Sequence, residues 1–502
     1  MTAKEMYDID HYTKEEIGFK NLLMENAGRA VCEKIYSKLT RTDKLLIFVG
    51  TGNNGGDGFV IARTLLNQKY HVTVLQTGSD EKMTEETLFH KQLFLNCGGT
   101  VIPIGGGIDV KRIITSHDIV IDAMLGIGVK GRLREPLAAI VSLVNDFAEY
   151  IISVDIPTGL PSDEGERTFL SVKADYTVII GAPKISTFLE HTAPYYGKWD
   201  LVSIGYPPKA FEKYVMRYLY MANNFQVNMP RRKPNSHKGT HGKGLVIGGS
   251  DDMPGSLAMT IRASLKAGSG LIKAATTEKV INRIAASTPE ATYTTLSDVN
   301  GFISTEHIPS LKEYDAIAMG IGMGREEETS VFLKNVIDQA QCPIIIDADG
   351  LFHLKSNIEE LGQKKQPIII TPHPGEMARL LGIPVSKLME SPFHYSLQFA
   401  KTHQIYVVLK GRFTIITTPH GEQAVNITGN PGLAKGGSGD VLTGIILAMV
   451  MQEMSIFHAL CNACYIHGMS ADLQVKEKHS HYDLTATDVI DGLRKVFRTF
   501  LH

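Results

Sequence analysis

GNPGLAKGGSGDVLTG, residues 429–444, sets six glycines in sixteen positions and leaves one carboxylate among them, Asp440. Glycine at this density costs backbone entropy and is kept where the chain must approach something closely. The run DVLTGIILAMVM predicts a helix from Asp440 onward, so the glycines lie at a helix N-terminus. Free N–H groups and the positive end of the helix dipole then sit beside Asp440, which suits an anion site with a base next to it. The plainer alternative is a glycine-rich turn with Asp440 as its N-cap.

Outward from this stretch the same rhythm repeats. GLVIGGS, AIAMGIGMG, PIIIDADGL, PIIITPHPGE and YVVLKG each read as a buried strand running into a loop. Earlier, from Lys44, KLLIFVG, YHVTVLQTG, DIVIDAMLG, YIISVDIPTGL, DYTVIIGAPK and WDLVSIG form a second series, interleaved with helical runs such as GFVIARTLLNQ. Strands separated by helices predict βαβ units around mainly parallel sheets, an α/β protein whose ligands lie beyond the carboxyl ends of the strands. GFKNLLMENAGRAVCEKIYSKL predicts a helical arm before the first series. Proline, glycine and basic residues crowd 206–244, which reads as an interdomain connection with a linker near 208–226.

At 502 residues the chain exceeds what one core usually supports, so two domains are expected. Fifty-one Lys and Arg against fifty-three Asp and Glu leave no global field for nucleic acid or an anionic membrane, and neither is expected as a partner. The opening MTAKEMYDIDHYTKEE has no apolar segment resembling a secretory signal. No apolar run is long enough to span a bilayer. Five cysteines do not make a disulfide framework, and a cytoplasmic home follows. The pair in CNAC, Cys461 and Cys464, reads as core packing.

VGTGNNGGDGFVIAR, residues 49–63, reads as a strand, an Asn/Gly-rich loop and a helix start. Asn53 and Asn54 supply amides, Gly55 and Gly56 admit close approach, and Asp57 faces the same loop. GIGVKG, residues 126–131, reads as a backbone-lined phosphate clamp at a helix start. Asp155, at the end of the strand in SVDIPTGL, is a general-base candidate or a turn cap. Asn54, Asp122 and Thr158 are oxygen donors at strand ends, a set suited to a hard cation.

In the second half, TPHPGE brings His373 and Glu376 to a strand end, while VVLKGRFT sends Lys410 and Gly411 into a loop able to hold phosphates. IDADGL adds Asp347 and Asp349, and GIGMG adds Gly320, Gly322 and Gly324. Asp347 could equally be a structural acceptor and His373 a core histidine. Together these features fit phosphoryl transfer, with Asp440 taking a proton from an attacking hydroxyl and Mg²⁺ carried by the nucleotide.

NNGGDGFVIAR, DAMLGIGVKG, SVDIPTGL and LMENAG together resemble the NAD(P)H-hydrate epimerase family over about residues 1–220. The resemblance implies a Rossmann-like three-layer domain that interconverts the R and S forms of hydrated NADH and NADPH (NADHX and NADPHX). It implies that Asn53, Asn54, Gly55, Gly56, Asp57, the loop Gly126, Ile127, Gly128, Val129, Lys130, Gly131 and Arg132, and Asp155 contact this substrate. It also makes Asn54, Asp122 and Thr158 potassium ligands. GGSGD resembles the ribokinase-like superfamily. SHKGTHGKGLVIGGSDDMPGS, TPHPGE and NPGLAKGGSGDVLTG look more closely like the ADP-dependent NAD(P)H-hydrate dehydratases, over about residues 225–502. That likeness implies that Lys410, Gly411, Arg412, Phe413, Thr414 and Gly439 contact the adenine nucleotide, while Gly322 or Gly324, His373 and Asp440 contact the hydrated cofactor. Asp155 and Asp440 are then the catalytic residues, and a homo-oligomer is expected. The alternative reading is a vitamin-precursor kinase carrying an N-terminal nucleotide-binding module.

Overall fold

KLLIFV, Lys44–Val49 (β1), buries every residue after the first, as a strand covered on both faces must. In the computed structural model, which describes residues 1–501 except Asn21, Gly106, Lys130, Glu166 and residues 305–307, this strand lies inside the first sheet with a neighbour on either side. The chain divides into two compact units, Met1–Val215 and Met216–His502.

In the first unit β1 is joined by His71–Gln76 (β2), Val101–Pro103 (β3), Ile119–Ala123 (β4), Ile151–Val154 (β5), Tyr176–Ile180 (β6) and Lys198–Val202 (β7). Their order is β3-β2-β1-β4-β5-β6-β7 and every pairing is parallel. The chain turns back between β1 and β4, and such a switch point opens a crevice at the strands' carboxyl ends. Two apolar clusters cover the faces of the sheet, one with Val31, Ile35 and Phe59 from helices, the other with Ile140, Val141 and Val144.

The second unit holds Arg217–Tyr220 (β8), Lys243–Gly248 (β9), Leu271–Thr276 (β10), Thr292–Thr295 (β11), the short pair Asp298–Val299 (β12) and Phe302–Ile303 (β13), Ala316–Ile321 (β14), Ile344–Ile346 (β15), Ile368–Ile370 (β16), Tyr406–Leu409 (β17), Thr414–Thr417 (β18) and Gln423–Asn426 (β19). Its main sheet runs β11-β10-β9-β14-β15-β16-β17-β18-β19-β8. Pairing is parallel from β11 to β17, antiparallel through β18 and β19, and parallel again at β8. Helix Ser438–Val450 is buried on nearly every side and packs against helix Pro254–Lys266. A Cβ on Gly444 would fall 2.3 Å from the Thr260 carbonyl oxygen, so only glycine permits that approach.

Two local expectations are corrected. Residues 53–57 are not a loop, because the helix begins at Asn53 and runs to Asn67. The stretch near 208–226 is not an open linker. It forms helix Pro208–Tyr214, then β8, then helix Ala222–Asn228, because β8 finds a partner in β19.

Candidate active sites

The first unit carries a cavity of about 660 Å³ at the carboxyl ends of its strands. Thr51–Asn54 reach it after β1, Met124–Val129 after β4, Asp155 after β5, Lys184 after β6 and Tyr206 after β7. Glycine works here first for the protein itself. A Cβ at Gly55 would lie 2.1 Å from the Gly50 carbonyl oxygen, and one at Gly56 would lie 2.3 Å from the Met24 sulfur. The closeness these residues permit is that of a helix seated on a strand end, and it delivers Asn53, Asn54 and Asp57 to the cavity.

Asp155 sits directly after β5 with φ +67°, a left-handed conformation unusual outside glycine. Its Oδ1 accepts from the Ile180 N–H at 3.0 Å and from the Lys184 ammonium. Lys184 is 1% exposed and is further held by the carbonyls of Ala182 and Ile180 at 3.1 and 3.3 Å. Among the described residues no ammonium pairs with Asp57, though the Lys14 charge acts on it from further off. Burial, then the charges of Asp155 and Asp10, push its carboxyl well above the usual range. The two carboxylates of this cavity therefore differ in surroundings, Asp155 fixed on an ammonium and Asp57 held towards its neutral form.

Asp122 is fully buried at the end of β4 and accepts from the Thr158 hydroxyl at 2.6 Å, the Thr158 N–H at 2.8 Å and the Ser153 hydroxyl at 3.0 Å. Burial still raises its carboxyl, against those bonds. The Thr158 hydroxyl accepts from the Leu125 N–H at 2.9 Å, and the Asn54 amide donates to the Leu125 carbonyl at 2.9 Å. The three expected cation ligands therefore meet around Leu125. The Asn54 Oδ1 is buried and unpartnered among the described residues, an oxygen that a cation would satisfy. An amide oxygen, a hydroxyl and one carboxylate fit a singly charged hard ion.

The loop Gly126–Arg132 is corrected in one respect. Gly126, Ile127, Gly128, Val129 and Arg132 line the cavity, but the next helix begins only at Leu137, so the loop is no helix start. Gly131 has φ +70° with open space beside it, and Lys130 lies outside the described residues. Sequence reading missed Asp10, Lys14, Lys184 and Tyr206, which share the cavity. Asp10 and Lys14 come from the N-terminal segment, where helix Ala3–His11 opens on a Thr2 capping box with Glu5. That Thr-x-x-Glu spacing was the available signal. Tyr206 donates its hydroxyl to Asp10, and burial pushes both groups up.

The second unit carries a cavity of about 1120 Å³. Its walls are Asp347 after β15, His373 and Glu376 after β16, Lys410–Arg412 and Thr414 at the β17–β18 turn, and Gly429–Asp440 with gaps. The glycine-rich run does open the helix: Gly437 is its N-cap at φ +87°, and a Cβ there would meet the Met259 side chain at 2.6 Å. Asp440 stands in the first helical turn. Burial pushes its carboxyl up to about 6, with Asp347 adding to the rise and the Ser256 hydroxyl and Lys410 opposing it. Asp347 behaves differently. Burial disfavours its charge, but the Lys410 ammonium at 2.8 Å and the Thr443 hydroxyl at 2.7 Å outweigh that and hold it below the usual range. A Cβ on Gly439 would lie 3.3 Å from the Lys410 ammonium, which places that cation against the helix start.

His373 is not a core histidine. It is over half exposed and caps helix Pro374–Leu381, its Nδ1 accepting from the N–H groups of Gly375 and Glu376 at 3.0 and 3.3 Å. The other ring nitrogen, Nε2, lies 3.5 Å from Glu376 Oε1. Gly322 and Gly324 do not line the cavity. They follow β14 with positive φ, against Met253 and the Phe302 ring. The Phe413 side chain also lies outside the lining, with Arg412 over its ring at 4.9 Å. Cys461 and Cys464 pack in the core within helix Ile456–Glu477, Cys464 also reaching the cavity wall beside His467. Sequence reading missed His467, whose imidazole burial lowers to about 4, and His481.

A family described as NAD(P)H-hydrate dehydratase matches residues 244–495, and one described as YjeF-related protein N-terminus matches residues 20–186. The Bifunctional NAD(P)H-hydrate repair enzyme Nnr of Moorella thermoacetica is 33% identical over 99% of this chain and 96% of its own. The chain belongs to the bifunctional NAD(P)H-hydrate repair enzyme family. Among solved structures, the ADP/ATP-dependent NAD(P)H-hydrate dehydratase of Bacillus subtilis, co-crystallized with ATP/Mg²⁺, is 36% identical with a TM-score of 0.50, covering 56% of this chain and 98% of its own. A ribokinase-like superfamily protein of Enterococcus faecalis, 24% identical with a TM-score of 0.50 over 57% of this chain and 97% of its own, shares the fold. Family membership and the two α/β units agree with the reading of the motifs. Among the described residues no helix is long and apolar enough to cross a membrane.

Proposed function

We propose that the chain repairs hydrated NADH and NADPH in two steps, epimerising R and S forms in the first unit and dehydrating the S form with ADP in the second. Family membership supports the pair of reactions. The observation that carries the chemistry is Asp440, a carboxylate raised to about 6 at a glycine-rich helix start beside Lys410.

In the dehydratase, ionised Asp440 takes the proton of the substrate's ring hydroxyl. The freed oxygen bonds to the β-phosphorus of ADP while the bond to AMP breaks. Helix-start N–H groups and Lys410 stabilise the phosphoryl charge, and Lys410 to Thr414 with Gly439 grip the nucleotide. Phosphate then leaves with the ring carbon's electron pair, and loss of the adjacent proton forms the double bond of NAD(P)H. His373 and Asp440 face the substrate in this reading. Mg²⁺ carried by the nucleotide would shield the charge of its phosphates.

In the epimerase, Asp57 donates a proton to the departing hydroxyl and Asp155 accepts one from water adding to the other face of the ring. Asn53 to Gly56 and the Gly126–Arg132 loop hold the substrate. Asn54, Asp122 and Thr158 hold K⁺, supported by the unpartnered Asn54 oxygen. Free thiols at all the described cysteines accord with a cytoplasmic setting. A homo-oligomer completes the reading, to be checked by light scattering.

The test is a mixture of R and S hydrated NADH given to the purified chain with Mg²⁺ and K⁺, with and without ADP, following dihydronicotinamide absorbance. Complete recovery that needs ADP is expected. Recovery that stops once S is exhausted overturns the epimerase half, and a stable phosphorylated product overturns the dehydratase half.

A further inference from the structure

Of the second cavity's lysines, Lys410 is already committed to Asp347. Lys435 is not spent in this way. It stands two residues before the N-cap Gly437, is exposed, and its Nζ donates to a neutral group, the Tyr482 carbonyl, at 2.5 Å. That bond joins the glycine-rich stretch to the loop at 478–485, far along the chain. The loop is braced on its other side: His479 Nδ1 lies 2.8 Å from Asp483 and Nε2 3.5 Å from Asp488, and Ser480 donates its N–H and its hydroxyl to Asp483, both at 2.6 Å. His481 then faces the cavity, while Tyr482 is 92% exposed.

We infer that Lys435 is a ligand for the phosphates of a nucleoside di- or triphosphate, held on the Tyr482 carbonyl until they arrive, and that it thereby couples the 478–485 loop to nucleotide occupancy. An ammonium on a carbonyl is a single bond to a neutral acceptor, whereas phosphate oxygens offer charge-assisted bonds roughly twice as strong. Lys435 lines the cavity with Gly436 and the N-cap Gly437, at a helix start where phosphate charge is best stabilised. The exchange needs only a rotation of a long flexible side chain. It releases the cavity-side tether of the loop while the His479 brace stays intact, so His481 is free to adjust over the bound nucleotide.

This inference rests on the nucleotide reading above. The test is calorimetric titration of the full chain with ADP and Mg²⁺, comparing wild type, Lys435→Met and Lys435→Arg, with amide hydrogen exchange read across 478–485. Lys435→Met is expected to weaken ADP binding about tenfold and Lys435→Arg to restore most of it, since either cation serves phosphate. ADP should change exchange in the loop of the wild type and not in Lys435→Met. Should the Met variant melt early, Lys435→Gln takes its place, keeping a donor for the carbonyl without the charge. Equal ADP affinity in wild type and the uncharged variants, or a loop indifferent to ADP, overturns the inference and leaves the nucleotide reading standing. A wild type that binds no ADP overturns both.

Discussion

Lys410 Nζ lies 2.8 Å from Asp347 Oδ1, a pairing across 63 residues that joins the ends of β15 and β17 under the phosphoryl-transfer cavity. Asp347 is 2% exposed at its side chain and Lys410 20%, so neither charge is left to bulk water. Removing one partner strands the other. Lys410→Met is expected to destabilise the second unit by about 3 kcal/mol, the low end for a broken buried pair. The double variant Lys410→Met, Asp347→Leu should recover much of that loss. Denaturant unfolding of the three chains measures both; a double variant no more stable than the single would count against the ion pair.

Asp440 must be ionised to take a proton, and its carboxyl is raised to about 6. Dehydration should therefore be present above that pH and fall as pH drops through it, with about a tenth of the base left at pH 5. Asp440→Asn should lower kcat by about 10³-fold or more and still bind ADP. The kcat profile against pH and calorimetry on the variant give the answer. Near-wild-type turnover in the variant would remove Asp440 as the base.

Much of this was legible because buried parallel strands announce themselves. III at 344–346 and III at 368–370 are uninterrupted β-branched runs, and both are fully buried strands. The glycine-rich helix start was equally plain, since nothing but close backbone approach explains so many glycines. Other features carried no local signal. β8 pairs with a strand two hundred residues later, and that partner decides its state. Lys184 and Tyr206 belong to segments far from the N-terminal helix that carries Asp10, and only the fold gathers them into one cavity. The start of the helix at Asn53 was hidden because Asn and Gly are poor helix formers. Tertiary contacts of Gly55 and Gly56 override that propensity.

Asp155→Asn should reduce epimerisation by about 10²- to 10⁴-fold while leaving dehydration of the S form unchanged. On mixed epimers with ADP, absorbance should rise quickly and stop short, the R form remaining. Full recovery at the normal rate would show that Asp155 is not the base.

Thr158→Val removes the hydroxyl that Asp122 accepts at 2.6 Å and one of three oxygens near Leu125. Epimerisation by this variant should lose its response to K⁺ over Na⁺. Rates measured across a potassium titration test the point, and an unchanged response would take Thr158 out of the cation site.

Gly55→Ala would place a methyl 2.1 Å from the Gly50 carbonyl oxygen and push the helix off its strand. A loss of about 2 kcal/mol or more in the first unit is expected from this overpacking, read by the midpoint of its unfolding. A shift within error would mean the helix can move freely at this point.

The left-handed backbone at Asp155 sets local strain against the ion pair that the same residue makes. A residue with a side chain pays about 1 kcal/mol to hold that conformation, and glycine would not. Glycine at 155 would also strand the Lys184 ammonium, which is 1% exposed, and an uncompensated buried charge costs about 3 kcal/mol or more. The loss outweighs the gain, so a library screened for heat resistance alone should keep an acidic side chain at 155, and the strained backbone persists without any demand from turnover.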